Sequence, residues 1–248
     1  MDTPTGRTAG GNAAAPRTAQ FGPAQFRRAR SDEQREARRQ AILRVAADMV
    51  AEMPVADLSL NELSRRVGLA KSNVLRYFES REAVLLELLD SAWRDWLRRL
   101  AAALPDGVDA SAPVQTRYQQ IAATVTASIG DDRLYCELMS VSSAVLERNV
   151  STEVARRYKL AAVANTTTLA DLIRSRLNEL SPEGATNFAA GTLVATTGIW
   201  PLAQPSAAML CVYQDPAMAP FRLDFGYAMR EMLATLLAGC LTRWPAAA

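Results

Sequence analysis

The chain has 248 residues, of which 49% are hydrophobic and 22% charged, a composition typical of a globular protein with a substantial core. It contains no histidine and only three cysteines, without a Cys-x-x-Cys pair, so histidine-based catalysis and the common zinc sites are excluded. We therefore expect no catalytic residue, metal ion or cofactor. The net charge is +2, but residues 1–100 carry 17 basic and 13 acidic side chains, which allows a polyanionic partner.

The first 30 residues are predicted to form a disordered tail that ends in a basic arm. Gly, Ala, Thr and Pro dominate residues 1–25, and no apolar segment of the length of a secretion signal is present. Arg27 and Arg28 begin the arm, which continues to Arg39 and would attract phosphate groups.

Helical periodicity then predominates along the chain, and the first helix is predicted to start at Ser31. Ser31 and Gln34 form a capping-box pattern, and an apolar stripe follows until Pro54. Two short helices are predicted next, over 59–66 and 70–78, with Ser59 as the N-cap of the first. Gly68 lies between them and can take the positive φ of a tight turn, so residues 59–78 are predicted to form a helix-turn-helix.

The second helix of this motif presents a polar face that suits the major groove of DNA. Arginine pairs with guanine and asparagine with adenine, whereas hydroxyl and ammonium groups reach phosphates. The alternative is the solvated surface of a small helical hairpin. The candidate DNA-binding residues in and around the motif are Ser59, Lys71, Ser72, Asn73, Arg76, Tyr77 and Arg81, with Arg27 and Arg28 of the arm.

A long amphipathic helix is predicted over 80–104, because Ser80 is a good N-cap and large apolar residues recur at steps of three and four. A loop over 105–113 divides the chain. Five further helices are predicted, over 113–129, 132–148, 151–180, 183–200 and 222–242, with a long loop over 204–220.

These residues resemble the tetracycline-repressor (TetR) family of bacterial transcriptional regulators over about residues 36–97. The resemblance lies in Ala41-Ile42-Leu43 with Ala46-Ala47, Ser59-x-x-Glu62-Leu63-Ser64, Val67-Gly68-Leu69-Ala70-Lys71, Tyr77-Phe78 and Ser80-Arg81-Glu82-Ala83-Val84-Leu85. It implies an all-α fold in which a three-helix head (31–79) is joined by a long fourth helix (80–104) to a helical body (105–248) that binds a ligand and dimerises.

The recognition surface departs from the family pattern. Ser72 and Asn73 stand where the family commonly has Gly and Thr, and Leu75-Arg76-Tyr77 stands where Tyr-Tyr-His is common. Leu58 replaces a common Thr. No operator sequence can therefore be inferred from the resemblance.

The resemblance also implies a dimer contact through the last two helices. Small residues on the first and an apolar stripe on the second suit a four-helix contact between two copies, while the alternative is packing within one chain. The candidate residues are Phe188, Gly191, Ala195, Gly198, Phe225, Met229, Met232 and Leu236.

An effector pocket is expected in the body, as in the family. Aromatic rings, methionine and one amide suit an apolar cavity with a few orienting polar groups, although each residue alone could equally be plain core. The candidates are Trp93, Trp96, Tyr118, Tyr135, Met139, Tyr158 and Asn165.

Together these features predict a cytoplasmic, ligand-responsive regulator, a repressor that binds operator DNA as a homodimer and is released by a small apolar or aromatic molecule. The alternative is a helical binding module or enzyme that has lost specific DNA binding. A membrane partner is not expected, because the uncharged segment 184–214 contains no run of 18 apolar residues.

Overall fold

The computed structural model describes residues 23–246, with side chains from residue 32. These residues form ten α-helices and no strand, which confirms the predicted all-α class. The helices are α1 (Pro23–Glu52), α2 (Leu60–Val67), α3 (Lys71–Val74), α4 (Arg81–Gly107), α5 (Val114–Gly130), α6 (Arg133–Val141), α7 (Thr152–Arg174), α8 (Pro182–Leu202), α9 (Ala207–Val212) and α10 (Phe225–Arg243).

By its internal contacts the chain divides into Met1–Arg38 and Arg39–Ala248. The described part of the first unit is the beginning of α1, whose side chains from residue 32 to 38 are exposed. This helix starts at Pro23, not at Ser31 as predicted, because proline at the first helical position has a preset φ and lacks only an N–H that would be unpaired there. The side chains of Arg27 and Arg28 lie outside the described residues.

The second unit begins with the head, in which the rest of α1 packs with α2 and α3. Ile42 and Met49 of α1 are buried together with Leu63 and Val74. Ser59 accepts a hydrogen bond from the N–H of Glu62 and caps α2, as predicted. Gly68 ends α2 with a φ of 72°, the left-handed conformation that the tight turn was expected to require.

Helix α4 runs from the head into the body. Ser80 caps it by accepting from the N–H of Ala83, as predicted, and twelve of its residues are buried. The helix continues past Pro105, which was assigned to the loop. The buried Val108 donates its N–H to the carbonyl of Leu104, so burial of this side chain favours one more turn.

The body packs around α4, which contacts α5, α6 and α7, while α8 contacts α6, α7 and α10. The N-terminus of α8 lies against the end of the chain: Ser181 donates its N–H to the carbonyl of Trp244, at 3.1 Å. A Cβ on Gly184 would meet that same carbonyl oxygen at 3.0 Å, so this position requires glycine.

Three body segments differ from the prediction. Helix α6 ends at Val141 and is followed by a 3₁₀ turn (Leu146–Arg148), and α7 ends at Arg174 because the chain turns to bury Leu177 and Leu180. The predicted 204–220 loop contains α9, on which Cys211 is exposed. Within 23–246 no helix is long and apolar enough to span a membrane.

Candidate nucleic-acid interface and effector site

The recognition segment, Lys71 to Phe78, has one anchored face and one exposed face. Val74 and Phe78 are buried, and the N–H groups of Tyr77 and Phe78 both donate to the carbonyl of Val74, at 2.9 and 3.1 Å. Regular α-helix therefore ends at Val74, and a tighter turn continues to Phe78. The anchored face holds the backbone, so the opposite face is presented in a fixed orientation.

Four of the predicted DNA-binding side chains lie on that exposed face: Lys71, Ser72, Asn73 and Arg76. Tyr77 is partly buried at its edge. In the part of the chain whose side chains are described, none of these five makes a side-chain hydrogen bond or ion pair. Their donors remain available to an external partner, as base and phosphate contacts require.

The charged side chains of α2, by contrast, form ion pairs with other residues of the head. Glu62 pairs with Arg65 and Arg66, and Arg66 also reaches Glu52 at 2.5 Å. Hydrogen bonds from the two arginines lower the pKa of Glu62 to about 2. Ser59 is exposed at the start of this helix, but its hydroxyl already serves as the N-cap.

Arg81, one of the predicted DNA-binding residues, has contacts within the chain. Its guanidinium is largely buried and donates to the carbonyl of Val55, in the turn between α1 and α2, and it lies 3.9 Å from Glu82. The side chain therefore ties the start of α4 to that turn. The prediction for Arg81 rested on its charge, and the sequence contains no sign of this contact with a residue 26 positions away.

Arg39, at the end of the predicted basic arm, contacts the recognition segment. Its guanidinium pairs with Glu87 of α4 through two hydrogen bonds, donates to the carbonyl of Tyr77 at 2.9 Å, and lies 4.4 Å from the centre of the Phe78 ring. These contacts hold the end of the recognition segment against α1 and α4.

The head and the body are also joined directly after the recognition segment. The carboxylate of Glu79 accepts from both the N–H and the hydroxyl of Ser151, each at 2.7 Å. Ser151 is the N-cap of α7, and its hydroxyl accepts from the N–H of Val154. The hydrogen bonds from Ser151 lower the pKa of Glu79. This contact joins residues 72 positions apart, and no sequence pattern indicates it.

The structure brings three of the predicted effector residues into one buried aromatic cluster. Tyr135 of α6 stacks on Trp96 of α4, with ring centres 5.1 Å apart, and lies 6.1 Å from the ring of Trp93. All three side chains are buried.

The other effector candidates are placed around α6 and α7. Met139 and Tyr158 are both buried near Ser142, and burial raises the pKa of Tyr158 to about 12. Asn165 is buried and donates to Asp90 of α4 at 2.9 Å. Tyr118 of α5 is half-buried, and the ring contacts of the described residues do not join it to the aromatic cluster.

Among the described residues, only one of the three clustered side chains has a hydrogen-bond partner for its polar group. Trp96 donates its indole N–H to Ser128 at 3.0 Å, whereas the indole N–H of Trp93 and the hydroxyl of Tyr135 are buried without a partner among residues 32–246. A buried unpaired donor costs about 1–3 kcal/mol. Burial also raises the pKa of Tyr135, so this hydroxyl stays protonated and is a donor at neutral pH.

The predicted dimer residues divide into core and surface. Phe188 and Met229 are fully buried in the chain's own core and Ala195 is nearly so, while Gly191 faces Leu236 within the α8–α10 contact. Phe225 packs on Trp200. The stripe pattern did not distinguish these inward positions from outward ones, because it cannot tell which side of a helix meets its own chain.

The outward face of α8 and α10 contains the remaining candidates, Gly198 and Met232, of which Met232 is 46% exposed. Val194, which was not among the predicted residues, is 74% exposed and lies one turn before Gly198. We call Val194, Gly198 and Met232 the α8–α10 surface.

Comparisons with known proteins match nearly the whole described chain. A family model for bacterial regulatory proteins of the tetR family matches residues 42–88, and one for the tetracyclin repressor-like C-terminal domain matches residues 90–244. The HTH-type transcriptional regulator EthR of Mycobacterium tuberculosis is 42% identical over 50 residues, which are 20% of this chain and 23% of that protein. EthR of Mycobacterium bovis matches to the same extent.

Two solved structures have a similar fold. The fatty acid degradation regulator FadR from Bacillus halodurans aligns with a TM-score of 0.50 and 15% identity, over 81% of this chain and 98% of that one. A TetR transcriptional regulator from Rhodococcus sp. RHA1 aligns with a TM-score of 0.50 and 12% identity, over 82% and 96%. These identities establish likeness of fold alone. Because the C-terminal family model by itself covers more than half of the residues, the chain belongs to the tetR family of bacterial regulatory proteins.

Proposed function

We propose that this protein is a cytoplasmic transcriptional repressor that binds a palindromic operator as a homodimer and is released by a small molecule bound in its body. The observation that carries the proposal is the recognition segment, whose polar face is exposed while Arg39, Val74 and Phe78 fix its backbone. A rigid segment with unpaired donors suits recognition of base edges, because little conformational entropy is lost when it binds.

Within this segment the residues have different roles. Asn73, Arg76 and Tyr77 contribute sequence preference through base edges, and Lys71 contributes phosphate attraction, as do Arg27 and Arg28 of the arm. The Ser72 hydroxyl donates a hydrogen bond to a phosphate of the duplex, and so does the Ser59 hydroxyl, whose oxygen accepts from Glu62 as the N-cap while its O–H donates. A symmetric dimer would place two such segments about 34–36 Å apart, in successive major grooves.

The second copy is proposed to bind at the α8–α10 surface. Val194, Gly198 and Met232 are exposed there, and a Cβ on Gly198 would meet no atom within 4 Å, so another helix can approach closely. The buried candidates Phe188 and Met229 support this contact indirectly, by holding α8 and α10 together.

The effector is proposed to act on the recognition segment through α4 and α7, the two helices that carry most of the candidate effector residues. Trp93 and Trp96 lie on α4, whose N-terminus follows the recognition segment, while Tyr158 and Asn165 lie on α7, whose N-cap Ser151 binds Glu79. A ligand that separates α4 from α7 would therefore move both supports of the segment. Coupling of this kind typically amounts to about 1–3 kcal/mol.

An electrophoretic mobility shift with the DNA upstream of the protein's own gene tests the proposal. The wild type should form a complex of dimer stoichiometry that survives competition by unrelated duplex DNA, and Asn73→Ala should lose that preference. Binding that disappears at moderate salt even on this DNA would indicate non-specific contact. That result would favour a binding module that has lost specific recognition.

A further inference from the structure

Two unpaired hydrogen-bond donors in the aromatic cluster indicate what kind of molecule the body accepts. Trp93 is 1% exposed and Tyr135 is fully buried, yet neither the indole N–H nor the hydroxyl has a partner within the described residues. By contrast, the indole N–H of the neighbouring Trp96 donates to the hydroxyl of Ser128. The unpaired donors are thus specific to two positions of the cluster.

The two donors belong to side chains in contact. Trp93 is on α4 and Tyr135 on α6, these helices pack together, and the two rings lie 6.1 Å apart at an angle of 53°. Trp96 stacks on the Tyr135 ring, and Met139 lies one turn further along α6. The surroundings are apolar, and a molecule placed here would need a hydrogen-bond acceptor to satisfy the donors.

The charges around the cluster disfavour an anion. Burial raises the pKa of Tyr135 and of Tyr158, and the negative charges of Asp132, and of Glu147 and Asp90, respectively add to these shifts. The cations nearest to these carboxylates, Arg94, Arg99 and Lys159, are more than half exposed and pair with them from the solvent side. Arg117 is the one buried cation among the described residues, and it is paired with Glu179 elsewhere.

We propose that the aromatic cluster binds an uncharged small molecule through an oxygen acceptor, such as a carbonyl, that receives hydrogen bonds from Trp93 and Tyr135. This inference rests on the proposed effector role of the body and adds the chemical class of the ligand. The acceptor satisfies the two donors, the apolar remainder packs against Trp96 and Met139, and the carboxylates reject a negatively charged analogue.

Three probes of nearly equal shape test the proposal: acetophenone, cumene and benzoate. They present a carbonyl, an isopropyl group and a carboxylate on the same ring. Titrations of the full chain by calorimetry should show acetophenone binding at least about tenfold more tightly than either of the others, because only acetophenone is both an acceptor and uncharged.

Variants assign this preference to the two donors. Trp93→Phe and Tyr135→Phe should each reduce the acetophenone-to-cumene ratio severalfold while leaving cumene affinity unchanged. Trp200→Phe is the matched control. The indole N–H of Trp200 is also buried and unpaired among the described residues, but this side chain lies on α8 and packs on Phe225 of α10, outside the aromatic cluster. It should leave the ratio unchanged. Thermal unfolding of each variant checks that it is folded.

Several outcomes would overturn the proposal: a ratio that both donor variants retain, tighter binding of benzoate, or no binding of any probe at millimolar concentration. The mobility shift, run on the same preparations, separates this failure from that of the proposed function. Operator binding without probe preference would reject the ligand class alone. Probe preference without operator binding would support the ligand class and reject the regulatory function.

Discussion

The head and the body use polar groups in opposite ways. In the head, Glu62 pairs with arginines of its own helix and Arg39 pairs with Glu87 of α4, while the recognition face is left exposed with its donors available. In the body, the unpaired donors of Trp93 and Tyr135 are buried among aromatic rings. Changes on the exposed face should therefore alter recognition without altering stability, whereas removal of a ring from the aromatic cluster should lower stability.

The largest expected effect is on the stability of the body. Trp96→Ala removes a fully buried ring that stacks on Tyr135, and should lower the free energy of unfolding by about 3–5 kcal/mol. Leu160→Ala on α7 is the control, since Leu160 is 57% exposed, and it should cost no more than about 0.5 kcal/mol. Urea unfolding followed by circular dichroism measures both. Similar losses for the two variants would contradict the assignment of Trp96 to the core.

The next effect concerns the support of the recognition segment. Arg39→Met leaves Glu87 without its partner and the Tyr77 carbonyl without its donor, so we expect a loss of about 1–3 kcal/mol in unfolding free energy and weaker operator binding. The double variant with Glu87→Met should recover part of the stability, because no unpaired charge remains. It should not recover DNA binding. Additive losses in this double-mutant cycle would show that the two side chains do not interact.

A change on the exposed face should separate recognition from stability. Asn73→Ala is expected to reduce discrimination at one base pair by about 1–3 kcal/mol and to change unfolding by less than about 0.5 kcal/mol. Asn178→Ala, at an exposed position of the body, serves as the control and should change neither quantity. Binding to a set of single-base operator variants provides the measurement. Uniform weakening on all of them would assign Asn73 to phosphate contact instead.

Two tyrosines of the body should respond differently to loss of the hydroxyl. Tyr135→Phe removes an unpaired buried group, so the free energy of unfolding should stay constant or rise by up to about 1 kcal/mol. Tyr158→Phe removes a hydroxyl that interacts with the side chain of Ser142, and should cost about 1 kcal/mol. Thermal unfolding without ligand distinguishes them. An equal loss for both would mean that the Tyr135 hydroxyl has an internal partner.

The smallest expected effect is the pH dependence of the Glu79–Ser151 contact. Because the pKa of Glu79 is lowered by folding, its contribution to stability is fully present above its ordinary value of 4.5 and is lost as the pH falls through the lowered value. Glu79→Gln should flatten the pH dependence of unfolding below about pH 4.5 relative to the wild type. Glu153→Gln, at an exposed position in the first turn of α7, should leave that part of the dependence in place.

Local signals in the sequence were sufficient for most of the helical architecture. The side chains of Ser59 and Ser80 cap helices where they were expected to, and Gly68 has the predicted positive φ. Such signals are reliable because the groups that satisfy a cap or permit a turn lie within a few residues of it. The exposed polar face of the recognition segment follows from the same local periodicity. The match of the chain to two tetR-family models confirms the resemblance drawn from those residues.

Only the tertiary structure decided which side chains meet across the chain. Arg39 and Arg81 looked like surface cations, but one supports the recognition segment and the other binds the turn before α2. Phe188 and Met229 were candidates for a dimer contact, with packing within one chain as the alternative, and they are buried in the core of their own chain. Their partners are determined by how the helices cross, and that arrangement depends on packing over the whole core rather than on any short segment of sequence.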